Sequence, residues 1–168
     1  VVELCEGIAG PWAGRLLSGY GADVIKVEPP TGDRSRALGP FPSDGPNPET
    51  GALHLHLNTG KRSVVGEVGD ELVDRLVAGA DVVLQSSAAI NPEGIEESHP
   101  GMVLVTVTSF GLSGRYSWCQ GEEIIHYAMG GPMSASGDPE REPLKMGGDI
   151  GQYQCGTLTA TAALAAVA

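Results

Sequence analysis

Positive charge is scarce in this sequence. Ten Lys and Arg stand against 21 Asp and Glu over 168 residues, a formal net charge of −11. That balance excludes general nucleic-acid binding, which needs a basic face to displace counterions. It leaves room for a small anion, which a few placed cations can hold. Cysteine is scarce too: Cys5, Cys119 and Cys155 are odd in number and sit at no metal-ligand spacing. They read as free thiols of a cytosolic protein. No apolar run is long enough to cross a bilayer, and no charged leader precedes an apolar stretch, so a cytoplasmic location is expected.

Several catalytic signatures are also missing. "GIAGP" after the first strand lacks the GxGxxG spacing of a dinucleotide turn, which argues against an NAD site. There is no GxxxxGK[ST] phosphate loop and no GxSxG nucleophile elbow. His54, His56, His99 and His126 have no acid or thiol at a fitting distance, so no metal is expected. His54 and His56 are read as two rings on one side of a strand.

What is present alternates short β-branched runs with helical patterns. Val1–Leu4, Asp23–Glu28, "SVVGEV", "DVVLQS" and "MVLVTVTSF" read as strands. Trp12–Tyr20, closed by Gly21, "DELVDRLVAGA", Glu122–Met129 and the stretch from Gln152 onward read as helices. The span from Pro29 to Gly51 reads as a long loop. This alternation predicts a single α/β domain over residues 1–168, a Rossmann-like parallel sheet with helices on both faces. Ligands of such sheets sit beyond the carboxyl ends of the strands. "CEGIAGP", "EPPTGDRSR", "QSSAA" and "SFGLSGR" should therefore gather along one rim. Both termini look cut, as in a fragment of a longer chain.

One acid stands out. Asp149 lies in "KMGGDIGQYQCG", between glycines and just before a helix-forming tail. It reads either as a helix N-cap or, from the same place, as an accessible nucleophile toward an acyl carbon. The helix dipole favours negative charge there. Flanking glycines permit close approach of a ligand. Arg34 and Arg36 in "TGDRSR", and Lys61 and Arg62 in "LNTGKRSV", read either as charged turns or as cations for phosphates.

Four segments in order resemble the family III CoA-transferases, the group of formyl-CoA transferase, carnitine CoA-transferase and α-methylacyl-CoA racemase. These are "VVELCEGIAGPWAGRLLSGYGADVIKVEPPTGDRSRALGP", "LNTGKRSVV", "VTVTSFGLSGRYS" and "GEEIIHYAMGGPMSASGDPEREPLKMGGDIGQYQCGTLTATAALAAV". The resemblance implies the N-terminal portion of such an enzyme, with acyl-CoA and a carboxylic acid as substrates and an interlocked homodimer in the longer protein. It implies Asp149 as the nucleophile and Glu123 as a neighbour that orients water or substrate. CoA would lie along Ile8, Ala9, Arg36, Lys61, Ser86, Ser87, Gln120, Gly121 and Glu122. The racemase branch carries a His where Glu122 stands, which favours transfer over racemisation. A non-catalytic CoA- or partner-binding module, a degenerate copy, is the alternative from another class, and a 2-methylacyl-CoA racemase with an altered base is a third reading. Two phosphate-gripping arginines of the family are replaced here, one by Pro29 and one within Gln85–Ala89. Arg34, Arg36, Lys61 or Arg62 would have to substitute.

Overall fold

The computed structural model describes residues 1–43, 45–86, 90–93 and 95–168, with Ile95 and Glu96 given by backbone alone. Among them, β1 (Val2–Leu4), β2 (Ile25–Glu28), β3 (Arg62–Val65), β4 (Val82–Gln85) and β5 (Val103–Thr106) form one sheet in the order β3-β2-β1-β4-β5. Every pairing is parallel, with Val2 beside both Ile25 and Val83. Strand addition reverses between β1 and β4. This is the switch point of a doubly wound sheet, where a crevice opens beyond the strands' carboxyl ends.

Alternation along the strands divides the core in two. On one face Val24, Val82 and Leu84 pack with Ala13 and Leu17 of α1 (Ala9–Gly19) and with Ala160 and Ala163 of α6 (Ile150–Val167). On the other face Val2, Val27 and Val83 pack with Val73 and Val77 of α3 (Glu71–Ala78). Each Val or Leu among them contributes about 1.5–3 kcal/mol by leaving water, and each Ala about 0.8 kcal/mol or less. Close approach of α1 and α6 depends on Gly156. A Cβ there would strike the carbonyl oxygen of Ala9 and lie 3.1 Å from Cβ of Trp12.

Several elements differ from their expected form. α1 starts at Ala9 rather than Trp12, and β2 starts at Ile25 rather than Asp23. Gly21 closes α1 as foreseen, at φ +98°. The span from Pro29 to Gly51 contains a 3-10 turn, Arg34–Ala37, capped by Asp33, whose Oδ1 accepts from Ser35 N at 2.7 Å. His54 and His56 are not on a strand but in α2 (Ala52–Asn58). On a helix, residues two apart point to nearly opposite sides. His54 is accordingly buried against Ser35, and His56 stacks on Trp12. A short α4 (Ile95–Ser98) precedes β5, α5 (Glu123–Met129) follows it, and a further 3-10 turn spans Pro132–Ala135.

Candidate active site

Asp149 occupies the N-cap position of α6 but does not cap it. Its side chain accepts no hydrogen bond from the first turn. Glu123, at the start of α5, does that work instead. Its two oxygens accept from Gly151 N at 2.7 Å and Gln152 N at 3.2 Å, and the residue is 5% exposed. A buried carboxylate on a helix's free N–H groups satisfies both partners. Asp149 is thereby left half-buried, with its carboxylate uncommitted among the described residues. The chain reaches it through Gly147 and Gly148. Gly148 takes φ +71°, a conformation that glycine adopts without strain. Lys145 braces this turn by donating to the carbonyls of Met146 and Gly148.

The expected rim is partly assembled. Ile8 is the N-cap of α1, with its side chain buried at 7% exposure, so it and Ala9 offer backbone to the crevice. Exposed Ser86 follows β4, and its Oγ accepts from Glu6 N at 3.4 Å, which joins the loops after β1 and β4 across the switch point. Gln85 is buried. Its amide donates to Ile90 O at 2.8 Å and Thr106 Oγ1 at 2.9 Å, and its Oε1 accepts from Ile90 N, so it fastens the segment after β4. Ser87 lies outside the described residues. Gln120, Gly121 and Glu122 lead into α5, and Gly121 N donates to Ser109 Oγ at 3.3 Å. His126 reaches back along α5, so that its Nε2 is the nearest atom to a Cβ built on Gly121. That nitrogen is buried without a hydrogen-bond partner among the described residues.

The cations expected to meet phosphates need correction. Lys61 precedes β3, at the amino end of the sheet, and its side chain is 1% exposed. Its ammonium contacts Glu3 Oε2 at 2.7 Å, Pro11 O at 2.7 Å and Asn58 Oδ1 at 2.8 Å. Burial lowers its pKa, against the pull of Glu3. It belongs to a buried ionic cluster with Glu3, Lys26 and Asp33. Lys26 lies 3.0 Å from Glu3 and 2.7 Å from Asp33. Burial opposes charge on Lys26, but those two acids outweigh it and raise its pKa. Gly14 leaves the room this cluster needs, since a Cβ there would collide with the Glu3 carboxylate.

Arg36 is likewise occupied. It forks onto Glu28 at 2.6 and 2.9 Å and meets Glu49 at 3.1 Å. Arg62 pairs with Asp23 at the surface, and Ser63 donates to Glu28. "NTGKRS" is thus a structural staple between α2, β1 and β2. Arg34 is different. It is exposed, makes no ion pair with the described residues, and lies over Gly7, with Nη2 2.8 Å from where a Cβ would stand. Gly7, at φ +85°, forms the turn after β1. The sequence named Arg34 only as a substitute. What marks it is the absence of a glutamate aimed at it, which spacing does not reveal.

A cavity of about 500 Å³ opens beside Asp138, Glu140, Arg141, Glu142 and Leu144. None of the rim residues lines it, and its charge is mainly acidic. Among the described residues no group of three His, Cys, Asp or Glu is placed to hold a metal, and no helix is long and apolar enough to cross a membrane.

The sequence matches the model of CoA-transferase family III over residues 1–168. It is 36% identical to succinate–glutarate CoA-transferase of Agrobacterium fabrum, covering 99% of this chain and 45% of that protein. It is 31% identical to formyl-CoA:oxalate CoA-transferase of Streptomyces coelicolor, covering 99% of this chain and 42% of that one. Among solved structures, a CaiB/BaiF family protein from Brucella suis superposes with a TM-score of 0.87 at 34% identity, over 99% of this chain and 47% of that chain. The chain therefore spans slightly less than half the length of the relatives it matches. The full-length match, the parallel five-stranded sheet and these identities together place the chain in CoA-transferase family III.

Proposed function

We propose that this chain is the CoA-binding, nucleophile-bearing α/β portion of a CoA-transferase that moves CoA from an acyl-CoA to a carboxylic acid, and that the whole protein is a homodimer. The observation that carries this reading is the division of labour at the start of α6. Glu123 satisfies the helix N–H groups, and Asp149 is left free in a glycine-bare turn. A carboxylate held by hydrogen bonds is a poor nucleophile, whereas an uncommitted one at a helix N-terminus has both reach and a supply of N–H dipoles for charge that develops nearby.

In the proposed sequence, an Asp149 oxygen attacks the thioester carbon, the C–S bond breaks, and CoA leaves as thiolate with a mixed anhydride on Asp149. The thiolate then attacks the Asp149 carbonyl. This releases the first acid as carboxylate and leaves an aspartyl-CoA thioester. The acceptor carboxylate attacks that thioester and expels the thiolate again. The thiolate finally attacks the acceptor's carbonyl and restores the Asp149 carboxylate. Ile8, Ala9, Ser86, Gln120, Gly121 and Glu122 line the CoA path in this reading. Arg34, rather than Arg36 or Lys61, meets a phosphate. At least five of the relatives are named for succinate or succinyl-CoA, among them the A. fabrum enzyme and the succinyl-CoA:D-citramalate CoA-transferase of Chloroflexus aurantiacus. A short dicarboxylic acyl group is accordingly the proposed cargo.

The test is mass spectrometry of the full-length protein after incubation with succinyl-CoA. A CoA adduct mapping to Asp149, absent from Asp149→Ala, is expected. Transfer at near wild-type rate in Asp149→Ala would remove Asp149 from the reaction.

A further inference from the structure

Three rings from three helices meet beside the start of α6. Trp12 of α1 and His56 of α2 stack with centroids 5.4 Å apart and planes at 19°. Tyr153 of α6 meets Trp12 edge-on at 5.1 Å and lies 6.2 Å from His56. The Trp12 indole N–H is committed to Thr157 Oγ1 at 3.1 Å, which fixes the ring that the other two lean on. The Tyr153 hydroxyl and the His56 imidazole have no hydrogen-bond partner among the described residues. Aromatic packing alone could be supplied by phenylalanine. The cluster instead carries two polar tips that the fold leaves unused.

Tyr153 stands one helical turn past Asp149, and its backbone N–H donates to Asp149 O at 3.2 Å. Residues four apart share a helix face, and helical side chains lean toward the N-terminus. Tyr153 therefore stands in the first turn that follows Asp149. Burial first, and then the Asp149 charge, raise the phenol's pKa, so it remains a donor.

We propose that Tyr153, with His56 beside it and Trp12 as its support, selects the acid by the polar group at the far end of its chain. The phenol donates to a second carboxylate, or a hydroxyl, of a short acyl group whose first carboxyl carbon is at Asp149. This rests on the transfer reading above and adds a residue for substrate choice. A site that hydrogen-bonds a polar group discriminates against an analogue lacking it. Tyr153 is half-buried and His56 exposed, so water partly replaces the lost partner and the discrimination is that of one ordinary hydrogen bond.

The experiment compares succinyl-CoA with butyryl-CoA, of equal chain length, as donors to the full-length wild type, Tyr153→Phe and His56→Phe. Both variants keep an aromatic ring in place. In Tyr153→Phe the preference for succinyl-CoA, as a ratio of kcat/KM values, should fall about threefold to tenfold, mainly through KM, with butyryl-CoA changed much less. His56→Phe should shift the ratio in the same direction by less. An equal loss with both donors would reduce Tyr153 to packing and overturn the proposal, and so would an unchanged ratio. Failure of the wild type to form an Asp149 adduct with either thioester would defeat the transfer reading itself, and this proposal with it.

Discussion

Arg34 lies over Gly7 with no ion pair among the described residues, whereas Arg36, two residues on, is clasped by Glu28 and Glu49. The two guanidiniums are chemically identical and sit in one 3-10 turn, yet only one has charge to offer a ligand. A charge-assisted contact from Arg34 to a CoA phosphate is worth about 1.5–3 kcal/mol. Arg34→Ala in the full-length protein should therefore weaken CoA binding about tenfold or more, as read by calorimetry. An unchanged dissociation constant would place the phosphates elsewhere. At the same scale, Glu123 is a residue whose expected role has moved. It was read as a group that orients substrate or water, and the structure has both its oxygens on backbone N–H groups of α6.

Among the elements, α6 decides most about the site. It starts one residue after Asp149, lies against α1 through Gly156, and carries Tyr153 into the ring cluster. Its N-terminus is held from outside, by a residue of α5. Glu123→Ala removes that hold and leaves two N–H groups unpaired, and the loss of a charged cap should destabilise the fold by about 1–3 kcal/mol. Asp149, already at the N-cap position, would then be drawn into capping. The expected result is a lowered unfolding midpoint together with a reduced yield of Asp149 adduct from succinyl-CoA. Unaltered stability would show that α6 does not depend on Glu123.

For the whole molecule, the buried charges set the acid limit. Arg36 above all, with Ser63, outweighs burial and holds Glu28 at about 2 against an ordinary value of 4.5. Burial works against ionisation of Asp33, but Lys26 and Ser35 prevail and its pKa is lowered too. A carboxylate whose folded pKa is depressed adds stability that is fully present above its unfolded pKa and is lost as pH falls toward the folded one. Stability should therefore drop between pH 4.5 and about 2, seen as a falling urea midpoint, and Glu28→Gln should flatten that dependence. A midpoint independent of pH across this window would show that these pairs add nothing to the fold. The same network ties β1, β2 and α2 together beneath α1, so loss of these pairs should loosen the turn that bears Ile8 and Ala9.

Sequence alone determined the five strands and the helices α1, α3, α5 and α6, because β-branched apolar runs and amphipathic or glycine-closed helices are local signals carried by neighbouring residues, whereas α2 and α4, of seven and four residues, are short and show no helical period. It also singled out Asp149 as a candidate, through the bare glycines around it, and determined the family, through four segments in order. Only the tertiary structure decided which charged side chains are free. Lys61, Arg36 and Arg34 look alike in the chain, and their partners, Glu3, Glu28 and none, stand 58 and 8 residues away or do not exist among the described residues. Tertiary structure likewise decided that Glu123, 28 residues from Gly151, caps α6 in place of Asp149. It also set His54 and His56 on a helix rather than a strand, where α2 packs beside α1. Pairing of this kind depends on which surfaces meet after the sheet is laid down, and no local pattern records it.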